Sequence, residues 1–266
     1  MRRIALLFCV SAVLGACSTT PKAPAGVAAD LAPSGKLRAA INFGNPVLAS
    51  KDPATGEPRG VSVDLSRELA ARLGVPLEIV TYAAAGRVVE GLKTRAWDIG
   101  YVAIDPVRGA DMYQSPPYVV IEGAYLVPAG SPIRSNAEVD REGVRVVVGQ
   151  GSAYDLFLSR ELKQAKIVRV PSSPVVVDTL IAQKLEVAAG VKQQLELDAR
   201  RVPGVRLLEG RFMVINQAMG VPKGRDTGAK YVRDFIEEMK ASGFVAQALR
   251  RHGIEGAAVA PAGDVR

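Results

Sequence analysis

Residues 144–162 read VRVVVGQGSAYDLFLSREL. Val144 to Val148 form an almost continuous β-branched run, the composition of a strand buried on both faces. Gly149-Gln150-Gly151-Ser152 breaks that run, and a helical segment from Tyr154 to Leu162 follows. A strand, a glycine turn and a helix make half of an α/β unit. Downstream the alternation continues with a strand at 167–170, a helix at 174–182, a strand at 185–189 and a helix near 193–200. Upstream it is already present: a strand at 36–41, a helix, a strand at 77–80, a helix at 87–93 and a strand at 99–102. In the first helix Leu65, Leu69 and Leu73 form the apolar stripe, Asp64 is the expected N-cap, and Gly74 with Pro76 supplies the stop. Alternation with short loops predicts an α/β fold with two tandem units, each a mostly parallel sheet flanked by helices.

Two extended stretches, 124–127 and 212–219, lie between or after these units, and a long helix at 226–240 follows the second. Two crossings between two bodies make a hinge. The expected division is lobe 1 at 35–123 plus 216–254, lobe 2 at 126–213, and a C-terminal tail at 255–266.

The chain has 266 residues, 48% hydrophobic and 23% charged, enough to bury a core in one large domain or two small ones. Its formal charge of +7 is dispersed, with no basic block among aromatics, which argues against a nucleic-acid partner. The single histidine, His252, stands beside Arg250, Arg251 and Gly253 and reads as the last turn of an exposed helix. With one histidine and the two cysteines Cys9 and Cys17, a Cys/His zinc centre is short of ligands, and a Ser-His-Asp system would rest on His252 alone. Neither a metal nor a cofactor is expected.

Residues 1–16 open with Arg2-Arg3, continue through an apolar run from Ile4 to Leu14 and end in small residues, which is the pattern of a secretory signal too short to span a bilayer. Leu14-Gly15-Ala16-Cys17 resembles the lipobox of bacterial lipoproteins. The alternative is a plain signal cut nearby, with an incidental cysteine. On the lipoprotein reading Cys9 leaves with the signal, Cys17 carries the lipid, and residues 17–34, rich in Ala, Pro, Thr and Gly, form a flexible tether.

Two loops have the grammar of anion sites. Asp105-Pro106-Val107-Arg108 reads as an N-cap followed by proline at the first helical position. Arg108 in that first turn opposes the helix dipole, so either an anion lies nearby or the side chain snorkels to water. At 149–152 free amides at a helix start, with Gly151 and the Ser152 hydroxyl, would cradle an anion, or the segment is a structural turn. It is not a dinucleotide fingerprint, a phosphate loop or a nucleophile elbow, because the required third glycine, the Gly-Lys pair and the flanking glycines are missing.

From Gly60-Val61-Ser62-Val63-Asp64-Leu65, through Val88 to Asp98, Arg108 to Ser115-Pro116-Pro117-Tyr118 and Gly151-Ser152-Ala153-Tyr154, the order and spacing resemble bacterial extracellular solute-binding proteins of family 3, the receptors of amino-acid-type ABC importers. The resemblance covers roughly residues 35–254. It implies the two-lobed clamshell of a type II periplasmic binding protein, in which Arg108 salt-bridges a ligand carboxylate and Gly151, Ser152 and Ala153 hold it from the other lobe. Asn45, Ala103, Asp105, Tyr154 and Lys192 complete the candidate site. The acid that pairs with a ligand ammonium in the family would fall at Val191, which is followed by Lys192.

The implied function is an extracytoplasmic receptor, lipid-anchored on the periplasmic side of the envelope and monomeric. It would capture a small carboxylate-bearing solute and present it to an ABC permease in the inner membrane. Without an acid at Val191 the expected ligand is a small organic acid or atypical amino-acid derivative, with Asn45 meeting a neutral group, Lys192 favouring a second carboxylate, and Glu122, Asp155 or Glu186 available to supply a missing negative charge. A dehydratase on the same fold would need a cleft carboxylic acid, and a sensory domain would lack the permease.

Overall fold

The computed structural model describes residues 22–24 and 26–263. In chain order they form α1 (Val27–Leu31), β1 (Leu37–Asn42), a small hairpin of β2 (Ser50–Lys51) and β3 (Pro58–Arg59), α2 (Val61–Leu73), β4 (Leu77–Tyr82), α3 (Ala85–Lys93), β5 (Ile99–Ala103), the single turn α4 (Pro106–Gly109), β6 (Met112–Gln114) and β7 (Val119–Pro128). The second half continues with β8 (Arg145–Gly149), α5 (Ala153–Glu161), β9 (Lys166–Val170), α6 (Val176–Ala182), β10 (Val187–Val191), α7 (Lys192–Arg201), β11 (Val205–Leu207), β12 (Met213–Pro222), α8 (Asp226–Ala241), α9 (Phe244–Arg251) and β13 (Ala258–Val259).

The main sheet has the order β4-β1-β5-β12-β7-β10-β8-β9. β1 runs parallel to β4 and β5, and β8 runs parallel to β9 and β10. The long strands β7 and β12 lie antiparallel between the two groups and join them. This is a mixed α/β sheet made of two parallel halves, as the alternation of elements predicts. Leu65, Leu69 and Leu73 turn into the core, and Gly74 closes α2 at φ 68°, donating its amide to the Ala70 and Ala71 carbonyls.

Several local expectations need correction. α2 starts three residues before Asp64, with Gly60 as N-cap. Asp64 lies inside the first turn, where its negative charge suits the helix dipole, and its carboxylate meets His252 Nε2 at 2.8 Å and Arg251 Nη1 at 2.9 Å. His252 is therefore no exposed helix end: its side chain is 11% exposed, packed against a helix nearly 190 residues away in sequence.

The segment 17–34 is not a tether throughout. Val27 and Leu31 of α1 are buried, Leu31 against Gly228 of α8, and the Gly228 amide donates to Asp30 at 2.9 Å. A five-residue helix is too short to show a period, and what orders it is a tertiary contact. The tail at 255–266 likewise contributes β13, which pairs with Val119 and Val120 of β7. Finally, β10 begins two residues later than expected, because pairing with β8 starts at Val187 opposite Val146. Val191 thus ends the strand and Lys192 opens α7. Cys17 and the rest of the signal lie outside the described residues.

Candidate ligand site between the two halves

Parallel strands direct their carboxyl ends, and the loops that follow them, toward one edge of a sheet, and ligands of open α/β sheets bind there. Here Asn42 at the end of β1, Ala103 at the end of β5 and Val191 at the end of β10 meet at one cavity, which Ile215 and Gln217 of β12 help to line. It encloses about 370 Å³ of atom-free space, its open mouth included.

Asp105 caps the single turn α4 by accepting from the Val107 amide at 2.9 Å, and Pro106 fills the first helical position. Four residues carry almost no macrodipole, so the dipole argument for Arg108 fails. Burial replaces it. Arg108 is 2% exposed, and among the described residues no carboxylate lies within ion-pair distance of it. Nη1 donates to the Ala103 carbonyl at 3.0 Å and Nη2 to the Gly151 carbonyl at 2.7 Å, while Nε has no partner. Burial pulls its pKa down to about 10, with the charge of Asp105 opposing the shift. Asp105 itself pairs with Arg160 of α5 at 2.9 Å and does not line the cavity.

Across from Arg108, Ser152 caps α5 and its hydroxyl accepts from the Asp155 amide at 3.0 Å. The Gly151 amide goes to Asp155 Oδ2 at 2.8 Å and the Ser152 amide to the Gly149 carbonyl at 3.1 Å. Of the amides from Gln150 to Tyr154, those of Ala153 and Tyr154 have no protein acceptor, as the first turn of a helix requires, so the cradle keeps Ala153 and takes Tyr154 in place of the Gly151 and Ser152 amides. Gly151 contributes its carbonyl instead.

Of the candidates named from sequence, Asn45, Ala103, Arg108, Ser152, Ala153 and Tyr154 line the cavity. Gly151 stands just behind it, φ +69°, where a Cβ would lie 2.8 Å from Gly86 Cα of α3. Lys192 is misplaced by the sequence reading: its ammonium faces Glu122 of β7 at 3.3 Å, outside the cavity. Glu122 also pairs with Arg211, Asp155 with Arg169 at 3.0 Å and Glu186 with Arg145 at 2.7 Å, and none of the three lines the cavity.

Asn45 Oδ1 is buried without a hydrogen bond, and the Tyr154 hydroxyl is buried against Ser173, Ser152 and the Gly149 backbone, whose polar contacts only partly offset the rise in its pKa that burial causes. Sequence reasoning missed Asn42, Ser173 and Gln217. Gln217 carried a signal, as a polar residue inside the apolar run of β12, and its side chain is 7% exposed.

The sequence model of the bacterial extracellular solute-binding proteins, family 3, matches residues 37–254. No curated relative matches the chain by sequence. Among solved structures, the solute receptor for L-cysteine of Neisseria gonorrhoeae is similar with a TM-score of 0.75 at 23% identity, over 86% of this chain and 94% of that one. A mutant of ArgBP from T. maritima gives 0.74 at 20%, over 86% and 100%. The ancestral amino acid-binding protein AncCDT-1, a precursor of cyclohexadienyl dehydratase, gives 0.70 at 21%, over 82% and 96%. At these identities the likeness is one of fold.

Proposed function

The chain belongs to the bacterial extracellular solute-binding proteins, family 3, and from that premise we propose that it captures a small carboxylate-bearing solute, an amino-acid derivative or organic acid, for an ABC importer. The observation that carries this reading is Arg108. A guanidinium that is 2% exposed, with no carboxylate against it among the described residues and one buried N–H unpartnered, is an arrangement proteins complete with an anion. Two of its five donors are spent on carbonyls, and the rest remain for a ligand.

The second half offers the Ala153 and Tyr154 amides and the Ser152 hydroxyl at the N-terminus of α5, where the dipole also favours negative charge. A solute of amino-acid size fits this reading, the class of ligand bound by the L-cysteine receptor above. The two halves, 35–123 plus 216–254 and 126–213, act as lobes that close on the ligand about β7 and β12. The protein works as a monomer on the periplasmic side of the envelope, held by a lipid on Cys17, and delivers the solute to a permease in the inner membrane. The dehydratase alternative requires a carboxylic acid in the cleft, and among the described residues no Asp or Glu lines it.

Thermal unfolding of the purified protein against amino acids, organic acids and amines tests the reading. Carboxylates should stabilise it, by about 2.7 kcal/mol for a ligand at 100 times its dissociation constant. Stabilisation by amines alone would contradict it.

A further inference from the structure

The cavity carries a single formal charge. Arg108 supplies it, and among the described residues no Asp, Glu or Lys lines either the cavity or its narrow extension toward Gln194 and Leu195. The three carboxylates that could have entered are neutralised by Lys192, Arg211, Arg169 and Arg145 outside it. Lys192, the one further cation considered, is engaged by Glu122. Val191 presents an apolar wall at the end of β10.

This charge count selects among carboxylates. A zwitterionic α-amino acid would bury its ammonium with no anion to meet it, and a dicarboxylate would bury a second carboxylate with no second cation. The remaining polar groups are neutral: Asn45 with its buried, unpartnered Oδ1, the Tyr154, Ser152 and Ser173 hydroxyls, and the Asn42 and Gln217 amides. An amide and a phenol both exchange hydrogen bonds well with an alcohol, which donates and accepts at once.

We propose that the ligand is a small hydroxymonocarboxylate, and that Val191 is the residue that sets this choice over amino acids. The proposal rests on the carboxylate-receptor reading above and names the solute class for the same site.

Titration calorimetry of the purified full-length protein with matched L-ligands tests it: alanine against lactate, serine against glycerate, leucine against 2-hydroxyisocaproate, phenylalanine against phenyllactate, with succinate as the dicarboxylate. At least one hydroxy acid should bind ten-fold or more tighter than its amino counterpart and than succinate. An amino acid or succinate binding tighter than every hydroxy acid overturns the proposal and leaves the receptor reading standing. No binding by any carboxylate overturns both. In Val191→Asp, with folding checked by thermal melting, the preference should swing at least ten-fold toward the amino member of the pair. An unchanged preference in the folded variant overturns the role given to Val191.

Discussion

Arg108 donates to the Gly151 carbonyl across the cavity at 2.7 Å, so this buried guanidinium is also a direct link between the two halves of the molecule. A second link stands beside it, from Arg160 of α5 to Asp105 of the α4 cap. Gly86 and Gly151 bring backbone against backbone behind both. On the proposed function, ligand anchoring and closure draw on the same few residues, and a change at the contact should register in both.

Gly151→Ala adds a methyl 2.8 Å from Gly86 Cα and forces an L-residue into φ +69°. The backbone strain alone is roughly 1–2 kcal/mol. Ligand affinity should fall at least ten-fold, and small-angle scattering should show less compaction on ligand addition than in the wild type. Wild-type affinity together with wild-type compaction would argue against a glycine-limited closure.

Asp98 is wholly buried between Arg38 and Arg225. Burial by itself would raise its carboxyl pKa, but hydrogen bonds from both guanidinium groups outweigh it and hold the pKa below its ordinary value of 3.8. A depressed folded pKa means that the stabilisation is present above the unfolded value and is lost as pH falls through the folded one. Asp98→Asn should cost about 3–5 kcal/mol at pH 7. Denaturant titrations should show the gap from wild type closing as the pH drops below 3.8. A gap that stays constant down to pH 2 would rule out the linkage.

The parallel halves were legible because their strands are short apolar runs set off by glycine turns, as in 144–152, and α2 because its leucines keep helical spacing. What escaped were features made by distant parts of the chain. Nothing local tells that Asp64 meets His252, that Leu31 fills the space over Gly228, or that β13 completes an edge of β7. In the site, Ser152 was readable from helix-start grammar, whereas Arg108 was reached through a dipole argument that a four-residue turn does not support and, like Tyr154, through the family resemblance. Lys192 went astray because it was named only as the neighbour of Val191, and its side chain turns to Glu122 of β7 instead. Which amides of α5 stay open depended on Asp155 folding back onto Gly151, a side-chain contact without a sequence pattern.

Cys17 should be acylated after cleavage behind Ala16. Cys17→Ser is expected to move the protein from the membrane to the soluble fraction or leave it unprocessed, read by fractionation and mass spectrometry of the N-terminus. Unchanged membrane partition of the variant would refute the anchor.

The proposed function requires that Arg108 is buried for the sake of a ligand carboxylate. Titration calorimetry of Arg108→Ala and Arg108→Lys with the best-bound carboxylate, beside thermal melts of the free proteins, decides this. Losing one partner of a buried charge pair typically costs about 2–5 kcal/mol, or roughly thirty-fold and more in affinity. Lysine should fail as well, since it lacks the planar fork of donors. The free Arg108→Ala protein loses two hydrogen bonds and packing but no ion pair among the described residues, so it should stay folded, its affinity loss outweighing any fall in melting temperature. Arg108→Ala binding within two-fold of wild type, or a variant that loses its fold rather than its ligand, would contradict the claim.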